Sequence, residues 1–119
     1  MHVVTIADVP KERVVSPLFT SDEVFAQPLA PEGSEYTSRV VTFGPGTRNK
    51  FHTHQSGQVL IVTQGKGIVA TETEKREVKV GDVIFFAPGE VHWHGAGPDS
   101  EFAHIFIYLA GGSGRQVEK

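Results

Sequence analysis

Residues 50–67, KFHTHQSGQVLIVTQGKG, decide how the chain is read. The stretch is β-prone, and along a strand successive side chains alternate faces, so His52, His54 and Gln58 point to one side. Leu60 and Val62 follow on that side and mark it as the buried one. Two imidazoles and an amide on a buried face need partners, because an unpaired buried polar group costs about 1–3 kcal/mol. Two residues of strand span roughly 6.5 Å, near enough for both rings to converge on one ion. A metal would supply all the missing partners at once. The competing reading makes them exposed strand histidines, or core histidines satisfied by other groups.

The surroundings of this stretch argue for strands throughout. Short apolar runs punctuated by Gly and Pro predict an all-β domain with strands at Val3–Ile6, Tyr36–Phe43, Phe51–His54, Gln58–Thr63, Ile68–Glu72, Glu77–Val80, Val83–Phe86, Val91–His94 and Glu101–Leu109. GPG at 44–46, QGKG at 64–67, VGD at 80–82 and APGE at 87–90 read as the turns between them, QGKG as a tight hairpin. TSDEVF at 20–25 fits one helical turn or an edge strand, QPLAPEG at 27–33 a loop, and the run ETEKRE at 72–77 a solvated hairpin. Residues 1–35 read as an N-terminal arm, 36–109 as the barrel or sandwich core, and 110–119, rich in Gly and Ser, as a frayed, flexible tail.

Composition narrows the partners. The 119 residues make one domain, and a formal charge of −3 offers no basic footprint for nucleic acid. There is no cysteine, which removes disulfides, thiolate metal sites and thiol catalysis together and suits a reducing compartment. No run reaches the ~20 apolar residues of a spanning helix, and the N-terminus has no signal-like apolar core, so neither membrane nor export is expected and a cytoplasmic setting is. Six histidines are present, and five of them (His52, His54, His92, His94 and His104) crowd into three short segments.

The second of those segments, GDVIFFAPGEVHWHGAG at 81–97, repeats the His-x-His pattern on another predicted strand and could offer a third imidazole to the same cavity. Taken together, GTRNKFHTHQSGQVLIVTQG (46–65) and GDVIFFAPGEVH (81–92) resemble the two motifs of the cupin superfamily. The spacing fits from Gly46 to Gly65 and from Gly81 to His92. The resemblance implies a small jelly-roll β-barrel with a divalent metal in its mouth, held by His52, His54, Gln58 and His92. It departs from the usual pattern at Gln58, where a glutamate is common, at Ala87 in place of Pro, and at Ala96 in place of Asn. An amide in place of the carboxylate leaves the ion with its full charge, which favours anionic or oxyanion-bearing ligands. Imidazole and amide donors with open positions favour Mn(II) or Fe(II), with Ni(II) or Zn(II) as further options. Because ligating imidazoles must be neutral, an ordinary histidine pKa of ~6.5 implies loss of metal as pH falls through roughly 6 to 5.

Four further residues are candidates for chemistry. By alternation His94 faces the same interior as His92, either as an acid/base or as a group orienting a ligand. In EFAHIFIYLA, Phe102, His104, Phe106 and Tyr108 share one face, and Ala103, Ile105, Ile107 and Leu109 the other. With the aromatic face inward, His104 is a second acid/base and Tyr108 a donor to substrate; with the aliphatic face inward, both lie on an outer or dimer surface. The aliphatic face suits packing against a partner sheet, so the aromatic one is read as the cavity wall. Arg39 is either a carboxylate clamp or a solvated charge, depending on which face of its strand is buried. Trp93 and Phe51 have the opposite parity to the histidines and read as packing residues. The histidine-glutamine pattern with HWHGA is similar to a bacterial cupin subgroup that includes manganese-dependent hydroxynitrile lyases. That likeness implies a lyase acting on a small molecule, with a dioxygenase and a non-catalytic sensor as the rival classes and a homodimer as the expected assembly.

Overall fold

The computed structural model describes all residues, 1–119, and contains no helix beyond a single 3-10 turn at Ile6–Asp8. Ten strands form one curled antiparallel sheet: β1 (Glu12–Arg13), β2 (Val24–Pro28), β3 (Tyr36–Phe43), β4 (His52–His54), β5 (Gln58–Thr71), β6 (Lys75–Lys79), β7 (Val83–Phe86), β8 (His92–Ala96), β9 (Phe102–Leu109) and β10 (Gly114–Gln116). They run in the order β1-β2-β3-β9-β5-β8-β4-β10, with β6 and β7 also paired to β5. The arrangement is the jelly-roll barrel that the motif spacing implied. No helix is long and apolar enough to cross a membrane.

β5 organises the barrel. Its first half pairs with β7 and β9, its second half with β6 and β8, so one strand passes from one wall to the other. The expected hairpin at QGKG is therefore a corner inside a single fourteen-residue strand. The corner carries a register shift between Val62 and Gln64 and a left-handed Gly65 at φ 69°. Gly67, two residues on, has a further reason to lack a side chain: a Cβ there would sit 2.5 Å from the ring of Phe102.

The interior is layered. On β3 and β9 the register pairs Phe43 with Phe102, Val41 with His104, Arg39 with Phe106 and Thr37 with Tyr108, all on the inward face. Phe43, Phe102, Leu60, Val62, Val69, Val78 and Ala96 fill the apolar floor, together with Val24, Val41 and Phe86. Burying such side chains contributes about 1.5–3 kcal/mol each. The histidines of β4 and β8 stand above this floor. Ile105 and Ile107 point outward and are half-buried.

Three other expectations are corrected. Val3–Ile6 is no strand; the segment leads into the 3-10 turn, whose Ile6 carbonyl, like that of Val9, accepts from the Gln27 amide. Gln27 and Pro28 belong to β2 rather than to a loop, because Gln27 pairs with Val40 and Pro28 with Arg39. Residues 110–119 are not a frayed tail: β10 lies antiparallel to β4, pairing Gly114 with His54 and Gln116 with His52. Backbone pairing needs no apolar side chains, which is why a polar, Gly-rich sequence can form that strand.

Candidate metal centre

β4 and β8 meet at one register pair, His52 opposite His92, and this juxtaposition builds the site. His54 lies two residues along β4 on the same face, with its ring centroid 4.9 Å from that of His52. His52, His54 and His92 bring their ligand atoms within 4.8 Å of one another. Phe86 stacks on the His92 ring at 3.9 Å and 18°, and Tyr108 on the His54 ring at 5.1 Å and 27°, so packing limits how far either can turn.

Hydrogen bonds settle which nitrogens face inward. His52 Nδ1 lies 2.7 Å from the Lys50 carbonyl and His92 Nδ1 2.8 Å from that of Glu90. A carbonyl only accepts, so both Nδ1 atoms carry protons and both Nε2 atoms present lone pairs. Backbone carbonyls behind ligating imidazoles are the usual means of fixing tautomer and ring orientation. His54 Nε2 is buried with no partner at all. Gln58 Oε1 approaches His92 Nε2 to 3.0 Å. With that nitrogen unprotonated, two acceptors confront each other, an arrangement that a cation between them relieves. An orphaned imidazole nitrogen and two facing lone pairs are what an ion held by three Nε2 atoms and an amide oxygen would satisfy, so the residues fit a divalent metal.

Burial keeps the three rings neutral. It lowers the His52 pKa, partly opposed by the Lys50 carbonyl. It takes His54 down to about 4, with the neighbouring His52 adding to the shift. It takes His92 to about 3, against the pull of the Glu90 carbonyl and with help from His52 and His54. Neutral imidazoles are the form that ligates a metal.

Above the trio is a cavity of about 150 Å³, walled by Leu18, Phe19, Val41, Phe43, Phe106 and Tyr108 and by the polar groups of Asn49, His52, His54, Gln58 and His94. The family model for the cupin domain matches residues 39–108. The chain is a cupin. (R)-mandelonitrile lyase of Granulicella tundricola is 46% identical to it over 79 residues, which are 66% of this chain and 60% of that protein. The cupin thus spans about 60% of the length of that curated relative. The crystal structure of a cupin-like protein from Thermotoga maritima superposes with a TM-score of 0.83 at 35% identity, covering 90% of this chain and 84% of that one. A polyketide cyclase from Streptomyces resistomycificus superposes with a TM-score of 0.86 at 22% identity over 100% of this chain and 87% of that one, a likeness of fold.

The cupin places the remaining sequence-predicted residues unequally. His94 is buried and lines the cavity, 5.7 Å from His52 between ring centroids. Tyr108 also lines it, so the aromatic face of β9 is the inner one. His104 does not reach the cavity. It sits behind His94, fully buried, with its Nε2 3.0 Å from His94 Nδ1. Burial pushes the His94 pKa well below its usual value, with His104 the next cause, and takes His104 to about 3. Arg39 shares the inward face, yet it is exposed one rung beyond Val41 and is absent from the cavity wall. Trp93 packs on the outer side of β8, with the Arg48 guanidinium 4.6 Å and the Lys75 ammonium 5.6 Å from its ring and the edge of Phe51 beside it.

Two contributions escaped the sequence. Asn49 is buried and accepts from the His94 backbone N–H through Oδ1 at 2.8 Å, which aims its amide nitrogen at the His94 ring. No spacing rule marks it in the sequence. Leu18 and Phe19 cover the cavity because their segment docks on the loop before β4: the Leu18 carbonyl accepts from Lys50 N and the Arg48 carbonyl from Thr20 N. Their only sequence signal is an apolar pair within a polar stretch.

Proposed function

We propose that this cupin is a divalent-metal-dependent lyase that breaks a carbon–carbon bond beside a hydroxyl in a small molecule, a cyanohydrin being the simplest such substrate. The observation that carries the reading is the donor set itself: the inward Nε2 lone pairs of His52 and His92, the unpartnered Nε2 of His54 and the Gln58 amide oxygen, beside a small cavity that holds a further imidazole, His94. The mandelonitrile lyase relative supports the reaction class. At about 150 Å³ the cavity is below the roughly 300 Å³ at which drug-sized pockets begin, and its walls are largely apolar, so the substrate is small with an apolar body.

His52, His54, His92 and Gln58 would hold the ion, with Mn(II) or Fe(II) best suited to this neutral nitrogen-oxygen set. When bound, the ion supplies a Lewis acid for the substrate oxygen. The chain does the rest. Gln58, being uncharged, leaves the site electrophilic. Leu18, Phe19 and Phe106 exclude water. His94 takes the hydroxyl proton at Nε2, the nitrogen left by the Nδ1 contact with His104, as the carbonyl forms and the carbon–carbon bond breaks, the electron pair of that bond leaving with cyanide. The same nitrogen then returns the proton to the leaving cyanide. His104, bonded to His94 Nδ1, sets the orientation of that ring.

The test is elemental analysis of the protein purified without chelator, beside His52→Ala, followed by an anaerobic assay of cyanide release from mandelonitrile. About one metal per chain in the parent, lost in a variant that stays folded, with turnover in the absence of oxygen, is the expected result. Metal-dependent oxygen uptake without cyanide release would replace the lyase by an oxygenase, and a metal-free parent would remove the site.

A further inference from the structure

β10 does more than add an edge strand. Just beyond it, the Glu118 carboxylate grips the chain immediately before the metal trio. Its Oε1 accepts from the Phe51 backbone N–H at 2.9 Å and from Arg48 at 3.0 Å, while Oε2 accepts from the second guanidinium nitrogen at 2.8 Å. The Phe51 carbonyl in turn accepts from the backbone N–H groups of Val117 and Glu118. Arg48 also donates to the Asn49 carbonyl at 2.9 Å. One carboxylate therefore fixes residues 48–51 from both ends. That segment carries two groups on which the site depends: the Lys50 carbonyl, which holds the His52 Nδ1 proton, and Asn49, which faces His94. The Arg48 guanidinium beside Glu118 holds its carboxyl below the usual range, so the grip is charged at neutral pH.

We infer that Glu118 is a positioning residue for the metal centre, aiming His52 through Arg48 and the Phe51–Lys50 backbone although it touches neither ion nor substrate. The inference rests on the metal site proposed above. A bidentate carboxylate–guanidinium pair is more demanding in geometry than a single ion pair, and groups that orient a ligand from outside change metal affinity by about 10–100-fold when removed. Glu118 acts one link further out, so the lower end of that range applies.

The experiment titrates Mn(II) into the metal-free full-length parent, Glu118→Ala and Glu118→Gln, and records thermal unfolding of each with and without the ion. Glu118→Ala is expected to raise the Kd about tenfold and to narrow the rise in unfolding temperature that metal produces. Glu118→Gln, which keeps an acceptor for Phe51 N–H, is expected to lose less. A simple brace would lower both unfolding temperatures equally and leave Kd unchanged; that result overturns the inference and leaves the metal site standing. Should Glu118→Ala fail to fold, Glu118→Gln decides, an unchanged Kd counting against the role. A parent that binds no Mn(II) would overturn the site and this inference together.

Discussion

Gln58 is the residue at which this site departs most from a carboxylate-bearing one, and its geometry says what the exchange does. Its Oε1 stands 3.0 Å from a nitrogen that the Glu90 carbonyl keeps unprotonated. Gln58→Glu would place a charge at that point, where it binds a divalent ion more firmly and neutralises part of it. The expected outcome is a metal Kd lower by on the order of tenfold, equivalent to about 1.4 kcal/mol, together with a slower turnover because the ion polarises oxygen less. Titration and steady-state kinetics on the same preparation would read both; faster turnover with tighter binding would refute the electrophilicity argument. Asn49 makes a separate case. Asn49→Ala leaves the His94 backbone N–H buried without its acceptor, at an expected cost of about 1–3 kcal/mol in urea unfolding.

At the scale of elements, β5 shows where pattern reading stops. Its two halves alternate clearly and were legible as strands, but QGKG between them has the composition of a tight hairpin. What makes it a corner lies far off in sequence: Gly65 is left-handed and a Cβ there would run into the Glu101 carbonyl, while Gly67 lies against Phe102. Gly65→Ala should therefore cost more than the ~1–2 kcal/mol of the left-handed backbone alone, seen as a lower urea midpoint. A loss under 0.5 kcal/mol would mean that the corner relaxes freely. The same limit explains the other misses. β10 is held by backbone pairing and by Glu118, seventy residues from Arg48, and neither leaves a local pattern. That His52, His54, Gln58 and His92 come together was legible, because alternation and two short motifs place them on facing strands. Depth was not: parity puts His104 on the inner face, but only the packing shows that His94 stands between it and the cavity.

For the whole molecule, the decisive feature is a barrel mouth lined by histidines without one charged partner: no Asp, Glu, Lys or Arg contributes to the cavity wall. No carboxylate there stabilises an imidazolium, and backbone carbonyls offset burial only in part, so His54, His92 and, behind the cavity wall, His104 fall to about 4, 3 and 3. In the unfolded chain each returns to ~6.5. Between those limits the unfolded state binds more protons than the folded one, so stability rises with pH over that interval. The stability that depends on neutral rings is complete above about pH 6.5 and is lost as pH falls towards 4 and 3. One pKa unit corresponds to about 1.4 kcal/mol, so three such groups weigh heavily against a total of about 5–15 kcal/mol. The metal-free protein should accordingly show a urea midpoint that declines steadily from pH 7 to pH 4, with net proton uptake on unfolding. The same shift moves the expected acid release of metal: protons compete with the ion only near the lowered pKa values, so occupancy should survive through pH 5 rather than fail between 6 and 5. Metal content after dialysis at pH 5.0, measured beside the urea midpoints, checks both. A flat midpoint would show that the rings do not titrate on unfolding, and full metal loss at pH 5 would show imidazoles far more basic than their burial allows.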